Sequence, residues 1–123
     1  MADEYYGATR KVEIEVSRLV GLPATLEEQD WEFIYADPTR IEIMVDLLSS
    51  AQLSTDERSA LCSLMIASFE KAFDGGEVNH ELMDRAAQLI GADPVVLERM
   101  RFFWLGQGMS FHQDLTQRLL RIT

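Results

Sequence analysis

The chain has 123 residues, a mass of 14.0 kDa and 47% hydrophobic content, the size and composition of one globular domain, with no room for separate catalytic and regulatory modules. Its 21 Asp and Glu against 11 Lys and Arg give a formal net charge of -10, which disfavours nucleic acid and anionic lipid as partners and suits a basic protein better. A single cysteine, Cys62, rules out an intramolecular disulfide, while acids at the N-terminus and the lack of a run of about 20 apolar residues argue against export and membrane spanning, so a reduced cytoplasmic protein is expected.

Residues 1–9 read as a polar tail. Beyond it Val12, Val16, Leu19 and Val20 share one helical face, with Gly21 as a stop and Pro23 just past it. Val12, Ile14 and Val16 also alternate as a strand would, which leaves a small extended N-terminal segment as the alternative. Thr25 and Glu28 have capping-box spacing and predict a short helix from Leu26 to about Tyr35 that presents Trp31 and Ile34. Asp37-Pro38 is a stronger start, an acid cap followed by a residue whose missing N–H costs nothing in a first turn, and Ile41, Met44, Val45 and Leu48 continue it to about Ser50.

A second capping box, Ser54 to Glu57, opens the helix with the broadest apolar face: Leu61, Cys62, Met65, Ile66, Phe69 and Phe73, stopped by Asp74-Gly75-Gly76. It is expected to be the central one. Asn79 caps the next, with Leu82, Ala86, Leu89 and Ile90 ending at Gly91, and Asp93-Pro94 starts another carrying Val96, Met100, Phe103 and Trp104. Gly106 and Gly108 interrupt it, and Ser110 with Gln113 offers a last capping box before Leu115, Leu119 and Ile122. The whole predicts an all-α, compact bundle of five or six short helices over residues 10–123. A weak echo of Leu19-Val20-Gly21 in Leu89-Ile90-Gly91 is explained by the shared grammar of helix, glycine stop and capped helix.

The most informative charge cluster is Glu27, Glu28, Asp30, Glu32, Asp37, Glu42 and Asp46, opposed between residues 27 and 46 only by Arg40, a net of -6. Like charges four apart on a helix cost a few tenths of a kcal/mol, so helix stability does not ask for them. With Trp31 among them, Glu28, Asp30, Glu32, Glu42 and Asp46 form the expected contact surface for a basic partner, acids steering and the indole anchoring. Residues 99–123 have the opposite sign, with Arg99, Arg101, Arg118 and Arg121 against Asp114; pairing within the chain is the simplest use for them. The adjacent Phe102, Phe103 and Trp104 cannot all lie on one helical face, which makes them the candidates for a contact between copies.

Metal chemistry needs several converging ligands. Glu77, His80, Glu81 and Asp84 place a Glu-x-x-His spacing beside two further carboxylates, but no second such motif exists, and His112, the only other imidazole, has no acidic neighbour in sequence. Cys62 lies mid-helix on an apolar face, where core packing outweighs nucleophilic catalysis. No phosphate-binding or dinucleotide motif is present, and no cofactor is expected.

Asp30-Trp31-Glu32, Ala36-Asp37-Pro38-Thr39-Arg40-Ile41, Ile66-Ala67-Ser68-Phe69-Glu70 and the aromatic run ending at Trp104, followed by Thr116 and Arg121, make residues 30–123 resemble a group of small helical bacterial proteins. The resemblance implies a helical domain and brings no catalytic residues with it. Size and acidity are also analogous to those of toxin-neutralising immunity proteins. The expected function is therefore non-enzymatic binding that neutralises or regulates a basic protein, with a self-assembling domain, or a metal protein using the His80 region, as alternatives.

Overall fold

Short polar side chains set where each helix begins. In the computed structural model, which describes residues 5–23, 31–50, 52–110 and 112–120, seven α-helices are present among the described residues: α1 (Arg10–Val20), α2 (Trp31–Ile34), α3 (Ile41–Ser50), α4 (Thr55–Asp74), α5 (His80–Gly91), α6 (Pro94–Met100) and α7 (Gln113–Leu119). A 3-10 turn, Pro38–Arg40, leads into α3, and a π-helical turn, Arg101–Gly106, extends α6. The fold is all-α, with slightly more helices than the five or six expected. The excess lies in short pieces such as α2 and α7, which packing against neighbours sustains where an isolated helix of that length would melt.

The caps follow the sequence closely. Asn79 Oδ1 accepts from Leu82 N at 3.0 Å, and Asp93 Oδ1 from Val96 N at 3.3 Å. Ser54 and Glu57 form the reciprocal capping box, at 2.8 and 3.1 Å. Each such cap is worth about 1 kcal/mol. Gly21 adopts φ +87°, sending its own N–H and that of Leu22 back to Ser17 O at 2.8 and 2.7 Å; Gly91, its echo, stays helical inside α5. Arg10–Val20 forms the helix that the spacing of Val12, Val16, Leu19 and Val20 predicts, and not the alternative strand. Two expectations need correction. Tyr5, placed in a polar tail, is 8% exposed, meets Phe103 edge-on and lies under the Arg99 guanidinium. Ser110 does not cap α7: its hydroxyl is taken by Glu70 and Thr116, and His112 occupies the cap position without a capping bond from its side chain. The Thr25–Glu28 box lies outside the described residues.

Helix α4 is the hub. α1, α2, α3, α6, α7 and the 3-10 turn all pack on it, whereas α5 packs on α3, α6 and α7 in an outer position. Because neighbours cover every side, all residues from Ser59 to Glu70 are buried, polar ones included. Those polar groups have partners, as burial demands: Ser63 Oγ accepts from Trp104 Nε1 at 3.2 Å, and Ser68 Oγ accepts from Asp37 N at 2.9 Å while donating to Leu64 O at 2.8 Å. No described helix is long and apolar enough to cross a membrane.

Candidate functional site

The acidic 27–46 stretch does not fold into one open contact face. Trp31 is 1% exposed and its indole N–H is held by Ser17 Oγ at 2.7 Å, so it is a core residue and not an anchor. Glu32 is buried beside it. Asp37 is used locally, its Oδ1 accepting from Thr39 N and Thr39 Oγ1 at 2.9 and 2.6 Å, and the Thr39 hydroxyl is the main reason its carboxyl is held below the usual aspartate value. Asp46 pairs with Arg85 at 3.1 Å, and Glu42 is exposed on α3. Glu28 and Asp30 lie outside the described residues, as does Glu27.

The aromatic run is likewise turned inward. Trp104 is fully buried and Phe103 nearly so, and Phe102, half-buried, meets Tyr6 edge-on with ring centroids 5.4 Å apart. A π-helical turn moves successive side chains off the regular 3.6-residue spacing, which lets two adjacent aromatics enter one core. The surface on which self-association through Phe102, Phe103 and Trp104 rested is therefore taken up within the chain.

A different place combines shape and chemistry. Where α4 ends, α5 begins and α7 crosses both, an open cleft of about 880 Å³ is lined by Phe73, Val78, Met83 and Leu115 as apolar walls and by both histidines of the chain, Asp114 and Arg118 as polar ones. Local chemistry builds it. Gly76, at φ +73°, turns the chain out of α4 and returns Glu77 N–H to Ala72 O at 3.0 Å, so α5 starts beside the end of α4. Phe73 is on the same face as buried Phe69, yet one turn further along it passes the edge of the core and is 50% exposed.

Each histidine is held by a neighbour from another element. His112 Nε2 is 2.5 Å from Asp74 Oδ1, and its ring meets that of Phe73 at a tilt of 50° with centroids 4.6 Å apart. Its backbone N–H donates to Glu70 Oε2 at 2.6 Å, so a buried carboxyl of α4 fixes the start of α7. His80 Nδ1 accepts from Arg118 Nη1 at 3.3 Å, and Arg118 Nη2 donates to Asp84 Oδ1 at 3.3 Å. His112 thus has the acidic partner that its sequence neighbours lack. Glu70, Phe73 and Arg118 went unsingled as site residues in the sequence; the one available signal was an aromatic in the final turn of a long helix, immediately before Asp74-Gly75-Gly76.

The metal candidates separate. Among the described residues no group of three or more His, Cys, Asp or Glu is placed to hold a metal ion; His80 and Asp84 instead share a guanidinium, which leaves Glu77 and Glu81 exposed on the rim. Cys62 is far from chemistry of this kind: burial pushes its thiol up to about 12, so the sulfur stays protonated and unreactive at neutral pH.

Asp114 and Arg118 line the cleft, and Asp74, Glu77, Glu81 and Asp84, all exposed, stand close in sequence to its lining residues Phe73, Gly76, Val78, His80 and Met83. Elsewhere the arginines tie elements together: Arg58 to Asp93 at 2.9 Å, Arg99 to Asp56 at 2.9 Å and Arg101 to Leu120 O at 3.0 Å. Comparison with protein families, curated proteins and solved structures gives no match to this chain.

Proposed function

We propose that the protein is a non-enzymatic binding module for a basic protein partner, which it neutralises or regulates, and that the partner docks in the α4–α5–α7 cleft. The observation that carries this is a half-exposed phenylalanine, Phe73, set in the wall of an open cleft that Asp114 also lines, with Asp74, Glu77, Glu81 and Asp84 exposed next to lining residues in sequence. An aromatic in a concave site is the usual energetic anchor of an interface, and a rim of one charge raises the association rate of an oppositely charged partner. The overall charge of -10 acts in the same direction.

The test is a titration with a defined probe, a synthetic peptide alternating arginine with leucine, followed by NMR of the labelled protein at low and moderate salt. The His80, His112 and Phe73 resonances should shift together, affinity should fall with added salt, and Phe73→Ala should weaken binding about tenfold. Shifts that gather on α3 around Glu42 and Asp46, or that spread evenly over the surface, overturn the proposal.

A further inference from the structure

We infer that His80 and Asp84 form an arginine-recognition subsite that Arg118 of the same chain occupies until an arginine of the partner displaces it. The inference rests on the partner-binding function proposed above and names the group that the partner presents. Its basis is geometry. Two nitrogens of one guanidinium are engaged at once, Nη1 by His80 Nδ1 and Nη2 by Asp84 Oδ1, both at 3.3 Å. A planar fork satisfies both acceptors together, whereas an ammonium on a flexible stem reaches one well at a time. The acceptors lie one turn apart on α5, where positions i and i+4 face the same way, so one helix presents both to the same guanidinium.

Arg118 is well suited to being displaced. Its side chain and that of Asp84 are both more than half exposed, and such surface pairs contribute little because solvent screens them and side-chain entropy opposes them. It also lines the same cleft as Leu115, Asp114 and Phe73, so a partner that displaces it enters a site with apolar walls. A partner carrying an arginine next to an apolar side chain would satisfy the subsite and the wall in one step. Glu77 and Glu81, exposed and close to His80 in sequence, favour a cation in either case.

The experiment compares an arginine–leucine peptide with its lysine–leucine counterpart on the wild type, Arg118→Gln and His80→Ala, by calorimetry and by NMR of the Arg118 guanidinium. Removing the internal competitor should tighten the arginine peptide about fivefold and the lysine peptide about twofold or less. His80→Ala should erase the preference between them. In the wild type the guanidinium signal of Arg118 should move towards that of a free arginine as the peptide binds, a readout that does not depend on either variant folding. An arginine peptide that enters the wild-type cleft but gains nothing from Arg118→Gln overturns the subsite while leaving the basic-partner function standing. A peptide that perturbs neither histidine in any of the proteins overturns both.

Discussion

The two tryptophans and the two histidines of this chain have opposite fates. Trp31 and Trp104 are each buried, and each donates its indole N–H to a serine on another helix, Ser17 and Ser63. His80 and His112, 32 positions apart in sequence, line one open cleft and take charged partners from other elements. Bulk explains the first fate, since a large apolar ring repays burial if its one donor is met. Helix ends explain the second. Both imidazoles sit where a helix starts, at the N-terminus of α5 and at the cap position of α7, and two such starts meet beside the end of α4. The difference teaches that an aromatic inside an acidic sequence stretch is not thereby an acidic-surface anchor, and that a histidine dismissed for want of neighbours can acquire them in space.

That contrast breaks if the tryptophans prove dispensable. Trp104→Ala empties a fully buried site in front of α4 and should cost about 4 kcal/mol in chemical denaturation; a loss comparable to that of a surface change would remove the core from one side of the comparison. Next in size is Glu70→Ala, which strips the acceptor from His112 N–H and the Ser110 hydroxyl. A loss of about 2 kcal/mol is expected, together with collapse of the chemical-shift difference between His112 and a free histidine, because α7 then starts without its tether.

Asp37→Ala sharpens the contrast between local and tertiary use of acids. It should cost about 1 kcal/mol as the loss of a cap. The carboxyl of Asp37 is held below its ordinary value, first by the Thr39 hydroxyl, so its contribution is full above the usual aspartate range and disappears as the pH falls through its lowered folded-state value. Stability measured against pH in the acid range should therefore fall less steeply in the variant than in the wild type. The smallest effect is reserved for the histidines. His80→Ala breaks one exposed contact and should alter stability by about 0.5 kcal/mol or less, while abolishing the discrimination between arginine and lysine peptides. A histidine substitution that unfolds the protein would place the cleft in the core.

Local order was legible because it depends on neighbours in sequence. Asn79, Asp93 and the Ser54–Glu57 box begin helices where their side chains predict, and α4 is the hub its apolar content implies. Misreadings arose where packing decides between equal local options. Phe69 and Phe73 share a helical face, yet one is buried and the other half in solvent, since Phe73 lies in the last turn of α4 at the edge of the core. Ser110 and Gln113 have the spacing of a cap, but a buried carboxyl on α4 competes for the serine hydroxyl and wins. Acids at 37 and 46 were read as one surface and are consumed separately, by Thr39 and by Arg85.

What the amino-acid sequence determined by itself is the helical class, the main caps and stops, the central helix and the excess of negative charge, all properties of residues within four or five positions of one another or of the whole composition. Only the tertiary structure decided which aromatics are core, which acids are free and which distant residues share a cleft. The reason is that burial and ion pairing depend on distances between helices, and His80, Asp84, His112 and Arg118 become neighbours only once α7 has been laid against both α4 and α5.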